Sequence, residues 1–273
     1  MMSAPSVLPS GLASPSLARP AAGSLRPAHT RLLRHGSAQA GSAVCHVGRG
    51  GARRFPVSFA AGGGAVGDAF VIEGTTNVKF PRELRIPGHA DPLVILGTGY
   101  RDKFFVKVYA AAFYVDYSLG IDTEQWKQKA GIEIYDSSSV FASIFKAPVV
   151  KSLRIILVRD VDGKTFVNAL NDVIARQIKK TTAEEESALS TFQSTFLGRN
   201  LKQGTSINLT WLEPSRMLIS ISENQDPVQV DAEIKSATVN YALYDGFFGD
   251  SPVSPSLRSS TAQLLEALLT NLH

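Results

Sequence analysis

The sequence predicts an α+β domain over residues 68–273, an antiparallel sheet with a layer of helices packed on it. Three observations point there. Segments of two-residue alternation come first, two stretches of 3.6-residue apolar spacing follow, and a strand meander then precedes two further helical stretches. The chain has 273 residues, 44% of them hydrophobic, enough for a real core in one or two domains. Neither an internal repeat nor a linker interrupts 68–273.

The elements follow in chain order. Residues 70–80 mix β-branched and polar side chains and stop at Pro81, which reads as a strand. Gly97-Thr98-Gly99-Tyr100-Arg101 reads as a glycine-rich turn that leaves Arg101 at the mouth of the longest strand. That strand is 104–116, FFVKVYAAAFYVD. Phe104, Val106, Val108, Ala110 and Ala112 fall on one face, and Phe105, Tyr109, Ala111, Phe113 and Val115 on the other, the pattern of a central strand covered on both sides. Leu153, Ile155, Ile156, Leu157 and Val158 suggest another strand at about 150–159. Over 163–180, Phe166, Leu170, Val173, Ile174 and Ile178 form a helical stripe, with Lys179 and Lys180 suited to its negative end. Thr182 followed by Glu185 is a capping box, and Leu189, Phe192 and Phe196 continue one face. Residues 206–212, 216–222 and 228–234 form the meander, with turns at Glu213-Pro214-Ser215 and around Pro227. A helix covers 236–248. The last starts with Ser254 as cap and Pro255 in the first turn, then shows Leu257, Thr261, Leu264, Leu265, Leu268 and Leu272.

Charge divides the chain. Residues 1–67 contain no acid, seven Arg and nine Ser; the first acid is Asp68. The remainder holds 21 basic and 24 acidic residues, a net charge of −3, so nothing electrostatic argues for nucleic acid. An acid-free Ser-, Ala- and Arg-rich opening is the composition of an organelle transit peptide. Five prolines from Pro5 to Pro27 prevent a long helix there, and the first Arg is Arg19, so the chloroplast stroma is favoured over the mitochondrion. A disordered tail without an address is the alternative. No stretch approaches eighteen consecutive apolar residues, so no membrane-spanning helix is expected.

The same cleavage bounds the chemistry. It would remove Cys45 and leave only His89 and His273, so thiol chemistry, multi-His metal sites and a Ser–His–Asp triad are not expected. No cofactor is expected. The 97–101 segment lacks the spacing of a phosphate loop and precedes a strand instead of a helix. Lys151, Arg154, Arg159, Asp160 and the Glu184-Glu185-Glu186 run read as solvated faces. Asp226 and Asp231 are turn-adjacent, and nothing pairs them for acid–base work. Phe247-Phe248 reads as core, or as the floor of an apolar pocket. From the residues alone, Arg101 could pair with Asp102 or another surface acid, and Tyr109 could be ordinary core. A buried Tyr hydroxyl or a buried Arg would need a partner.

Three segments carry a family resemblance: LGTGYRDKFFVKVYAAAFYVD (96–116), KAPVVKSLRIILVRDVDGKTF (146–166) and LYDGFFGDSPVSPSLRSSTAQLLEAL (243–268). Together they resemble the chalcone isomerase-fold family, and specifically its plastid fatty-acid-binding branch. The resemblance spans nearly all of 70–272 and implies an open-faced sandwich. It implies that Arg101 is the family's Arg before the long strand. Where true isomerases carry a Thr that helps place a catalytic water, this chain has Tyr109, as the fatty-acid-binding members do. The isomerases' helix Tyr matches Phe166, their helix Asn matches Val173 and their late Thr matches Gly246. The implied function is non-catalytic binding of free fatty acid, with no catalytic residue. Arg101 and Tyr109 would hold the carboxylate, and Phe105, Phe113, Phe166, Val173, Gly246 and Phe247 would line the pocket. Chalcone–flavanone isomerase activity, or binding of a polyketide or protein without turnover, are the alternatives.

Import with cleavage between Cys45 and Gly67 is the expected outcome. N-terminal peptide mapping of the mature protein checks it, and peptides from residues 1–40 in that material would contradict it.

Overall fold

The computed structural model describes residues 69–116, 137–223 and 228–270. Strands β1 (Phe70–Ile72) and β2 (Lys79–Pro81) form a small hairpin. The main sheet is built from β3 (Glu83–Leu84), β4 (Leu93–Lys103), β5 (Val106–Asp116), β6 (Lys151–Leu157), β9 (Thr205–Glu213), β10 (Arg216–Glu223) and β11 (Ala232–Ile234). Its seven strands run in the order β11-β10-β9-β6-β5-β4-β3, all antiparallel. β7 (Val161–Asp162) and β8 (Asn200–Leu201) pair separately. Among the described residues there are five helices: α1 (Ser137–Lys146), α2 (Gly163–Gln177), α3 (Ala183–Phe196), α4 (Ala237–Phe248) and α5 (Pro255–Thr270). None is long and apolar enough to cross a membrane.

β5 is covered on both sides, as its composition requires. Tyr109, Ala111, Phe113 and Val115 join the large core shared with all five helices. Ala110, Ala112 and Tyr114 face a smaller cluster with Phe80, Leu84, Leu93 and Ile95, beneath the β1–β2 hairpin. The Tyr114 hydroxyl donates to the Pro81 carbonyl at 2.9 Å and ties that hairpin down. The single strand expected over 70–80 is therefore a hairpin, with the Glu73 carboxylate accepting from Thr75 and Thr76 N–H in its turn.

The largest correction concerns residues 97–101. They are the middle of β4, not a turn, and the glycines answer to a neighbour far along the chain. A Cβ on Gly99 would lie 2.1 Å from the Leu257 nitrogen, and one on Gly97 would lie 2.3 Å from Thr261 Oγ1. Only glycine lets α5 lie this close. Beyond Ile95, β4 has no strand on its outer side among the described residues, and α5 supplies partners there. Ser260 and Ser256 hydroxyls accept from Thr98 and Tyr100 N–H at 3.0 Å each. Ser254, expected only as a cap, donates its hydroxyl to the Tyr100 carbonyl at 2.7 Å.

Other helix signals are realised locally. Asp162 caps α2 through Thr165 N–H, and Lys179 reaches the Ala175 carbonyl in its last turn. The Thr182–Glu185 capping box starts α3, and Ser236 caps α4. The meander over β9–β11 is present, with its third strand shortened to Ala232–Ile234; Asp226 lies outside the described residues. Asp231 accepts from Arg199 at 2.8 Å and from Ile221 N–H at 2.7 Å.

Two charged residues expected in solvent are buried. Arg154 is buried on β6, and Lys151 is fully enclosed. The Lys151 ammonium donates to the Phe145 and Ala147 carbonyls at 2.9 and 3.0 Å, where α1 ends, and burial lowers its pKa to about 8. Since α1 itself is unexpected from the sequence, so is its need for a cation at the C-terminal end.

The strand β5 starts two residues later than expected. Phe104 and Phe105 form a two-residue turn between the paired Lys103 and Val106, with φ of 52° and 66°. Left-handed backbone costs an ordinary side chain roughly 1–2 kcal/mol per residue.

Gly99→Ala is expected to destabilise the protein by about 1–3 kcal/mol in urea unfolding, because α5 must move away. Gly74→Ala, where a Cβ meets nothing within 4 Å, should change stability by less than about 0.5 kcal/mol.

Candidate functional site

The β4–β5 hairpin and the start of α2 enclose a cleft of about 410 Å³. Arg101 on β4 stands directly opposite Tyr109 on β5. The register slips immediately after that pair, since Asp102 faces Lys107 and Val108 is passed over. Such bulges re-aim the side chains beside them. Val106 and Val108 come from β5, and Phe166, Ala169 and Leu170 from one face of α2. Val161 completes the apolar lining, while Lys103, Arg159, Asp160 and Asp162 add charge.

The polar groups in the cleft are not equivalent. Asp160 already binds Lys202 at 3.1 Å and accepts from Gln203 N–H at 2.8 Å. Asp162 is committed to capping α2. Arg101 is half-buried and, among the described residues, has no ion-pair partner, Asp102 included. The Tyr109 hydroxyl is buried without a hydrogen-bond partner among the described residues. Burial pushes its pKa up to about 12, against the opposing pull of the Arg101 charge and of a guanidinium N–H directed at the phenol oxygen, which leaves the phenol's own proton undonated. The phenol is thus a neutral donor at any physiological pH. A cation without an ion-pair partner among the described residues, beside an undonated buried phenol and apolar side chains of the same cleft, suits an anion with an apolar body.

The remaining residues expected to line this pocket are scattered. Phe166 lines it, with Arg101 and Tyr109. Phe105 does not: it sits at the hairpin tip, 99% exposed, because the turn interrupts the alternation that placed it inward. Its neighbour Phe104 contributes to the rim instead. Phe113 lies deeper in the core, its ring 4.5 Å from that of Phe248, and Phe247 is fully buried there. Val173 and Gly246 line a separate recess of about 200 Å³ with Arg176, Gln177, Asp245, Asp250 and Ser251. There a Cβ on Gly246 would lie 1.9 Å from Val173 Cγ1, so the two residues fit only as a large–small pair. Val106, Val108, Ala169 and Leu170 were missed; the α2 stripe through Phe166 and Leu170 was the available signal. Among the described residues no group of His, Cys, Asp and Glu could hold a metal.

The sheet and its helical layer define an α+β domain with an open cleft that carries Arg101 and Tyr109. The family model described as chalcone–flavanone isomerase matches residues 75–268. The chain belongs to the chalcone–flavanone isomerase family. A chalcone–flavanone isomerase of Canna generalis is 27% identical over 203 residues, covering 70% of this chain and 89% of the relative. A chalcone isomerase-like protein of Humulus lupulus is 28% identical over 203 residues, covering 71% and 95%. The crystal structure of an Arabidopsis thaliana fatty-acid binding protein shares the fold, with a TM-score of 0.53 at 20% identity over 71% of this chain and 98% of that one.

Tyr109→Phe should leave the ligand-free protein as stable as before or more stable by about 1 kcal/mol, because it removes a buried hydroxyl whose proton has no acceptor among the described residues. Urea unfolding measures this; a loss of stability would mean that the hydroxyl is bonded after all.

Proposed function

We propose that this chain is a non-catalytic plastid protein that binds free fatty acid and serves fatty acid metabolism. The observation that carries the proposal is the pairing of Arg101, without a counter-ion among the described residues, with the undonated Tyr109 hydroxyl in a cleft whose lining includes Val106, Val108, Phe166 and Leu170. A carboxylate would satisfy both groups at once: the guanidinium can bond its two oxygens in a planar fork, and the phenol adds a neutral donor. The acyl chain would lie along Val106, Val108, Phe166 and Leu170, where each buried methylene contributes at most about 0.8 kcal/mol. The shared fold with a protein named as fatty-acid binding supports the reading.

Relatives named as chalcone–flavanone isomerases at 25–27% identity keep turnover as the second reading. Against it stands Phe166, which lines the cleft and offers no hydrogen bond to a polar substrate.

Titration of acid and methyl ester against wild type, Arg101→Ala and Tyr109→Phe tests the binding mode. Arg101→Ala should weaken fatty-acid binding by roughly 2–5 kcal/mol, because the buried carboxylate loses its charge partner. Tyr109→Phe should cost about 0.5–1.5 kcal/mol. The ester should bind wild type poorly and lose little more on Arg101→Ala. Equal affinity of wild type and Arg101→Ala for the acid would place the head group elsewhere. Enzyme-dependent loss of chalcone absorbance would establish the isomerase reading instead.

A further inference from the structure

We propose that the tip of the β4–β5 hairpin is a bilayer-docking element that seats the mouth of the cleft on an anionic lipid surface. The tip is the most exposed aromatic site among the described residues: Phe104 is 85% and Phe105 99% exposed, with Val106 at 46% beside them. Folding does not account for these rings. Phe105 packs on nothing, and both residues occupy left-handed backbone that in a two-residue hairpin turn favours Asn-Gly. A bulky residue held there, with its ring in water, is strained for a purpose outside the folded monomer.

The flanking charges select the occupant. Lys103 and Lys107 bracket the rings, and the Lys103 ammonium lies 5.9 Å from the Phe104 ring centre. The Lys107 ammonium donates to the Thr75 carbonyl in the β1–β2 turn. Arg101 and Arg159 stand at the cleft below, whereas Asp160 is paired with Lys202 and Asp162 caps α2. Asp102 faces Lys107 across the hairpin, and the Glu73 carboxylate in the β1–β2 turn is occupied by Thr75 and Thr76 N–H. Aromatic rings that enter the acyl boundary while lysines reach for anionic head groups are the pattern of interfacial binding. A turn of two residues cannot supply the roughly 800 Å² per partner of a stable protein interface, so a second copy is not the natural occupant.

The tip and the cleft are continuous, because Lys103 and Phe104 belong to both. Docking would therefore bring Arg101 toward the depth at which a fatty acid's carboxylate sits in a bilayer. This last link rests on the fatty-acid reading of the cleft; the docking element itself does not.

The test uses the full chain and vesicles of phosphatidylcholine, with and without phosphatidylglycerol. Wild type should co-sediment with the mixed vesicles, and added salt should weaken binding. Phe105→Gly, which suits the positive φ and touches no part of the cleft, should keep or raise the thermal midpoint. It should leave fatty-acid titration unchanged and reduce vesicle binding by at least about ten-fold. Phe104→Asn combined with Phe105→Gly should reduce it further. Absence of wild-type binding to the mixed vesicles, or equal binding by Phe105→Gly, overturns the proposal. So does a concentration-dependent dimer in sedimentation velocity that Phe105→Gly abolishes, because the tip would then serve a second copy. Tip-dependent vesicle binding without fatty-acid affinity would sustain the docking element and sink the reading of the cleft.

Discussion

The close approach of α5 to β4 is the constraint on which the site depends. β4 leaves the cover of its neighbour β3 after two paired residues, and an uncovered strand edge is a hazard in any sheet. Two glycines let the helix come near enough for serine hydroxyls to replace the missing strand. Tyr100 is held through both its N–H and its carbonyl, and Arg101 is the next residue. A one-residue slip would turn Arg101 to the opposite face of the sheet, away from Tyr109. The cleft's geometry is therefore set by contacts that lie outside it.

The cleft holds charged groups that have structural tasks and others that have none among the described residues. Its acids are occupied by structural tasks, which leaves Arg101 as positive charge to be matched from outside. The Val173–Gly246 pair illustrates the same economy. A glycine at 246 is required by the bulk opposite it, so a polar group could enter there only if both residues changed. Membership of the family fixes the architecture, while these local compensations decide what the architecture can hold.

What was legible in the sequence was what short-range rules govern. The β5 alternation, the meander, the Thr182–Glu185 capping box and the Ser254-Pro255 start all follow from neighbours within a few positions. β4 was not legible, because Gly97 and Gly99 carry a turn's local signature and their reason lies near Thr261 and Leu257. The helix α1 was hidden by its opening run of serines, Ser137-Ser138-Ser139, and with it went the reason to bury Lys151. Phe105 was misplaced because alternation carried past the end of a strand inverts a side chain that a turn has freed. Arg101 and Tyr109 were singled out through family resemblance, but their direct opposition needed β4 to be seen as a strand.

The separation along the chain of the bonds that seal β4 has a consequence for biosynthesis. The Ser256 and Ser260 hydroxyls lie 156 and 162 residues downstream of the amides they satisfy. A ribosome releases β4 and β5 early, and their local pairing can form at once. The outer amides of Thr98 and Tyr100 stay bare until the segment bearing α5 has emerged. Throughout that interval the nascent chain displays a twice-notched, glycine-bearing edge open to any extended peptide, the kind of surface that chaperones shield. Truncation anywhere before residue 256 would make that transient exposure permanent.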